Sequence, residues 1–160
     1  MKSVLLLATA VLGMAAAQTA LAATATSSIG ASASVSTVCT VNSAPLSFGE
    51  VALSGATAGS TTVSVTCTDG GGYTVGLGDG LHSVAAQRNL VSGANALAYD
   101  LYKETGRTTR WGDTGAGLVS GAGTAVEQSL TVYGQVKAGQ PLLSGNGALY
   151  TDTIMVTLTY

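Results

Sequence analysis

Thr153-Ile154-Met155-Val156-Thr157-Leu158-Thr159-Tyr160 alternates without a break. Ile154, Val156, Leu158 and Tyr160 share one face, and Thr153, Met155, Thr157 and Thr159 share the other. Side chains on a strand point alternately to the two sides of a sheet, so a period of two with β-branched residues predicts a half-buried strand. Working back along the chain, the period recurs. Val126, Leu130, Val132 and Val136 follow it, as do Leu97, Tyr99 and Leu101, and Tyr73, Val75 and Leu77. From Thr61 to Cys67, Val63, Val65 and Cys67 alternate with Thr62, Ser64 and Thr66. Turn formers separate the runs: Asp69-Gly70-Gly71-Gly72, Gly78-Asp79-Gly80, Ser92-Gly93-Ala94-Asn95, Gly112-Asp113 and Gly145-Asn146-Gly147. Short strands punctuated in this way predict an all-β sandwich or barrel.

Composition agrees. Of 160 residues, 46 % are apolar and only 9 % are charged, with a net charge of −2. So few charges argue against a long solvated helix, and no basic footprint for nucleic acid exists. The 22 glycines keep no collagen period. One histidine and two cysteines leave little for a zinc site or a histidine-based triad.

The N-terminus reads as an address. Lys2 precedes an uncharged run from Val4 to Ala17, and Ala20-Leu21-Ala22 is an A-x-A cleavage site, the pattern of a secretory signal peptide over residues 1–22. Export into an oxidising compartment favours a disulfide, and two cysteines allow one intrachain pairing, Cys39 with Cys67. Closing a loop of about 28 residues contributes roughly 3.5 kcal/mol in the chain-entropy model.

Two features sit badly with a self-sufficient sandwich. Residues 23–37 form a small, polar arm that nonetheless alternates, with Ile29, Ala31, Ala33 and Val35 against Gly30, Ser32, Ser34 and Ser36. A plain disordered tail has no reason to keep a period. The strand ending at Tyr160 also has nothing after it to cover its edge, and long exposed edges pair with other chains. An alternating arm and an open edge are the equipment for strand donation between subunits. They equally allow the arm to pair with its own domain as a first strand. Periodicity leaves both open.

Several segments resemble the spore coat protein U domain family, which includes subunits of archaic, Csu-type chaperone–usher pili. They are Ser36-Thr37-Val38-Cys39-Thr40-Val41, Leu46-Ser47-Phe48-Gly49, Val63-Ser64-Val65-Thr66-Cys67, Tyr99-Asp100-Leu101-Tyr102, Arg107-Thr108-Thr109-Arg110-Trp111-Gly112-Asp113, Val132-Tyr133-Gly134-Gln135, and Tyr150-Thr151-Asp152-Thr153 running on to Tyr160. The resemblance implies an incomplete immunoglobulin-like β-sandwich over residues 38–160, lacking its final strand and completed by donor-strand complementation. It implies a periplasmic chaperone that lends a strand, an outer-membrane usher, and identical or related subunits joined head to tail in a fibre at the cell surface that supports attachment and biofilm formation. Ile29, Ala31, Ala33 and Val35 are the implied donor residues. Ile154, Val156, Leu158 and Tyr160 are the implied acceptor strand lining the groove, which the chaperone also pairs with. Cys39 and Cys67 match the family disulfide. Two alanines in the donor, where larger side chains are expected, imply a shallow or pre-filled groove. The alternative is a self-contained coat protein of a spore or cell envelope.

Other chemistry reads weakly. Gly76-Leu77-Gly78-Asp79-Gly80 lacks the Gly-Lys-Ser/Thr ending of a phosphate loop and reads as a turn. His82 has no second histidine near it, and Asp69 and Asp79 match no calcium loop. Asp100 and Glu104 read as a solvated hairpin end beside Lys103. Arg107, Arg110 and Trp111 read as a structural loop in preference to a sugar-binding patch. The expectation is a structural protein, with no enzymatic activity, no cofactor, no metal, no small-molecule substrate and no nucleic acid.

Overall fold

Among the described residues the alternating runs form eight strands, because each has one apolar face to bury and one polar face to leave in water. They are β1 (Cys39–Ser43), β2 (Thr57–Cys67), β3 (Gly72–Leu77), β4 (Arg88–Ser92), β5 (Asn95–Tyr102), β6 (Val119–Ala122), β7 (Gln128–Val136) and β8 (Val156–Thr159). A 3-10 turn, Gly115–Gly117, interrupts the connection to β6. This computed structural model describes residues 22–52, 54–141 and 147–160. The signal-peptide reading falls on residues 1–21, outside the described residues, as does most of the Gly145-Asn146-Gly147 turn.

The chain divides into two units, Met1–Ser34 and Val35–Tyr160. In the first, the described residues are exposed and belong to no strand. The second is an immunoglobulin-like β-sandwich. Its larger sheet has the order β1-β2-β7-β5-β4 and its smaller one β6-β3-β8, with every pair antiparallel. Between the sheets lie Val63, Val65 and Cys67 of β2, Tyr73, Val75 and Leu77 of β3, Leu97, Tyr99 and Leu101 of β5, and Val132 and Val136 of β7. Each predicted inward triplet is therefore buried.

Three local departures have clear causes. Val126 does not join the inward face of β7 and is 64 % exposed. The chain turns at Ala125, whose φ is +59°, and Ala125 N–H donates to Cys67 O, so the ladder starts only at Gln128. β8 is shorter than the alternating run that predicts it. Residues 150–155 first cross from one sheet to the other: Thr151 exchanges backbone hydrogen bonds with Val91 of β4, and Met155 O then accepts from Gly78 N–H beyond β3. The Ser92–Asn95 cluster makes a two-residue hairpin between β4 and β5, with Gly93 at φ +58° where a side chain would be strained.

Candidate functional site

Among the described residues, β8 pairs with β3 on one side only, and β1 pairs with β2 on one side only. These two edge strands, one from each sheet, run close to one another. Ile154, Val156 and Leu158 turn inward against the core yet stay half-buried, while Met155 on the opposite face is 73 % exposed. In a closed sandwich such a row is covered from both sides. Here a cleft of about 260 Å³ opens beside it, lined by apolar side chains from both sheets: Val63, Leu77, Leu90, Leu101 and Val132 with Ile154 and Val156.

The loop from Ala44 to Phe48 supplies the rest of the wall. Thr61 Oγ1 donates to the carbonyls of Ala44 (2.9 Å) and Pro45 (3.0 Å), which fixes the loop across β2. Leu46 and Phe48 then lie on Gly59 and Gly134. A Cβ at Gly134 would come within 2.7 Å of Leu46 Cδ2 and 2.8 Å of Phe48 Cε1, so these two positions need glycine for the loop to settle. Phe48 meets Tyr99 edge to face, with ring centroids 5.8 Å apart. The loop thus fills part of the space between the sheets.

The cleft has one polar corner. The Asp152 carboxylate is 1 % exposed. It accepts from Tyr99 OH (2.8 Å) and from the His82 backbone N–H (3.3 Å), and lies 3.0 Å from His82 Nδ1. Burial, and then the bond to Asp152, push the Tyr99 hydroxyl well above its usual ionisation range. A second polar cluster braces β4 against the end of β3. Arg88 is fully buried, and its guanidinium donates to the carbonyls of Leu77 (2.7 Å), Gly78 (2.8 Å) and Trp111 (2.8 Å). Burial lowers its pKa.

The strands give this domain two poles. Cys39 and Cys67 face each other in the first rung of the β1–β2 ladder and are joined by a disulfide. Thr37 touches Gly71, and Ala125 bonds to Cys67 at the same end. β1 runs from there to Ser43, which lines the cleft. β8 runs the opposite way, from Val156 opposite Leu77 at the cleft to Thr159 opposite Thr74. The arm therefore roots at the disulfide pole, and the cleft opens at the other.

Of the residues singled out from sequence, Ile154 and Val156 line the cleft; Leu158 continues the same face, and Tyr160 is 59 % exposed. Ile29 and Val35 are each 94 % exposed, and Ala31 and Ala33 are exposed too. The reading of Asp100 as a solvated hairpin end is corrected. Asp100 is buried because Arg110 Nε (2.9 Å) and Lys137 Nζ (3.2 Å) reach it from either side. Glu104 keeps the solvated role. Its carboxylate accepts from the N–H groups of Thr108 and Thr109, which hold its pKa down. Trp111 is 1 % exposed and its indole N–H donates to Val75 O, so it is a core residue and offers no stacking surface. Among the described residues no group of three or more His, Cys, Asp or Glu side chains gathers where a metal ion would fit. The cleft walls from Leu46, Phe48, Leu90 and Tyr99 were not singled out as site residues. Tyr99 alternates with Leu97 and Leu101 and so reads as inward-facing, but only the packing of the two sheets and of the Ala44–Phe48 loop shows that these residues surround an opening.

Comparison with known families decides the ancestry. The model of the Spore Coat Protein U domain matches residues 25–157. The chain belongs to the spore coat protein U domain family. A curated member-like relative, Protein U of Myxococcus xanthus, is 31 % identical over 159 residues, covering 87 % of each chain. Among solved structures, the CsuC–CsuE chaperone–tip adhesion subunit pre-assembly complex from the archaic chaperone–usher Csu pili of Acinetobacter baumannii matches with a TM-score of 0.58 at 21 % identity. That match covers 79 % of this spore coat protein U domain chain and 40 % of the other chain, and it shows a shared fold.

Proposed function

We propose that this protein is a structural subunit of a chaperone–usher pilus that polymerises by donor-strand exchange, its fibre supporting surface attachment and biofilm formation. Residues 1–22 direct export, residues 23–37 are the donor arm, and residues 38–160 are the acceptor domain. A periplasmic chaperone first covers the β8 edge, and an outer-membrane usher then exchanges its strand for the arm of the next copy. The observation that carries the reading is the half-buried row Ile154–Val156–Leu158, leading into and along β8, whose outer edge has no partner among the described residues and borders an apolar cleft. A strand laid along β8 satisfies that edge's backbone groups and covers the row with its alternate side chains. The arm carries a matching period of two.

The test is unboiled, non-reducing electrophoresis of surface extracts. A ladder at subunit multiples is expected. Fully burying an Ile or Val side chain is worth roughly 1.5–3 kcal/mol, and an alanine methyl nearer 0.8. Ile29 and Val35 therefore dominate insertion, and an aspartate there buries an unpaired charge. Ile29→Asp and Val35→Asp should abolish the ladder while leaving chaperone-bound monomer, whereas Ser32→Asp and Ser34→Asp should be mild. Equal behaviour of all four would sink strand donation. It would favour the self-contained coat protein, with the arm paired to its own domain.

A further inference from the structure

The strand donation proposed above constrains where the bodies of successive copies meet. The donor's arm roots at its disulfide pole, with Val35 only a few residues before Cys39. That stretch spans at most about 14 Å. An arm antiparallel to β8 extends the all-antiparallel pattern of the smaller sheet and brings Val35 to Ile154, at the acceptor's cleft pole. An arm parallel to β8 would bring Val35 to Tyr160, crowding two arm roots onto one pole and leaving the cleft pole bare. The first arrangement repeats head to tail without closing, as a fibre requires.

We propose that the two poles are a second subunit–subunit interface, in which the disulfide pole of one copy seats on the cleft pole of the next. Both carry exposed apolar side chains. At the disulfide pole Val38 is 58 % exposed and Val126 64 %. At the cleft pole Leu81 is 76 % exposed, Val84 70 % and Met155 73 %. Backbone hydrogen bonds tie the Leu81 segment to the segment before β8: Leu81 N–H donates to Thr153 O, and Gly78 N–H donates to Met155 O; Val84, three residues on, pairs with Gln87 across a tight turn. That turn sets Ala85 at φ +49° and Ala86 at φ +63°, a conformation that favours glycine. A short tether leaves the facing poles no room for a wide solvent layer, so their apolar groups bury against each other. The occupant of the cleft-pole patch is thus a second copy of this chain.

The inference rests on strand donation, and the experiment separates the two. Mature full-length chain is tested for capture of a labelled peptide of residues 23–37 and, in parallel, for its multimer ladder. Leu81→Glu with Val84→Glu should leave peptide capture unchanged and reduce the ladder about tenfold, the effect of some 1.4 kcal/mol. Adding Val126→Lys should restore part of it. Independently, Val84→Cys with Val126→Cys should give a ladder that survives boiling without reductant, and neither variant alone should. An undiminished ladder in the Leu81→Glu, Val84→Glu chain, or pairwise cross-linking by Val84→Cys alone, overturns the proposal. Wild-type chain that captures no peptide overturns strand donation itself, and the pole contact with it.

Discussion

Tyr99 joins the two kinds of surface in the cleft, its ring against Phe48 and its hydroxyl on Asp152. Removing the hydroxyl strips a nearly inaccessible carboxylate of a donor, a loss of about 1–3 kcal/mol. The same bond has a pH signature. The folded chain holds the Tyr99 proton beyond the range in which an exposed tyrosine, near pH 10, releases it. Above about pH 10 the unfolded state therefore binds fewer protons than the folded state, and stability falls as pH rises. Tyr99→Phe should be less stable than wild type at pH 7, and the gap should narrow as pH climbs past 10. Urea unfolding of the folded chain at successive pH values checks this, and parallel stability curves would count against it. Gly134 belongs to the same scale: its missing side chain is what lets Leu46 and Phe48 lie against β7.

Among the elements, β1 has only five residues and, among the described residues, one partner strand, and the disulfide is its strongest tie. Replacing Cys39 and Cys67 by serine should cost roughly 3.5 kcal/mol in the chain-entropy model and lower the yield of folded chain. Alkylation followed by mass measurement should find neither thiol free in the wild type; labelling of Cys39 or Cys67 would contradict the bond. The strands themselves were legible in the chain because each inward triplet alternates, and the cysteines paired as two cysteines in an oxidising compartment must. The crossing segment 150–155 was not legible. Its residues continue the alternation of β8, but their hydrogen bonds go to Val91 and Gly78, partners that only tertiary contact selects. Asp100 was misread for a similar reason, since Arg110 and Lys137 lie 10 and 37 positions along the chain. Of the candidate site, the apolar row on β8 was visible in sequence, while the opposite wall of the cleft required both sheets.

For the whole molecule, an uncovered β8 row predicts poor autonomy. A chain lacking residues 23–34, produced without a partner strand, should aggregate, and a peptide of residues 23–37 added during refolding should keep it monomeric. Light scattering follows both outcomes. A stable monomer without peptide would mean that the sandwich needs no ninth strand. The placement of the disulfide has a mechanical meaning as well. Cys39 is where the arm becomes β1, and its bond leads straight to Cys67 at the end of the 11-residue β2. Tension drawn through the arm would otherwise open the β1–β2 ladder one rung at a time, like a zipper. The covalent link at the first rung prevents that. It passes the load to β2, which lies between β1 and β7, so rupture requires many backbone hydrogen bonds to shear at once. Reducing the disulfide should therefore lower the force that the chain withstands far more than it changes the fold at rest.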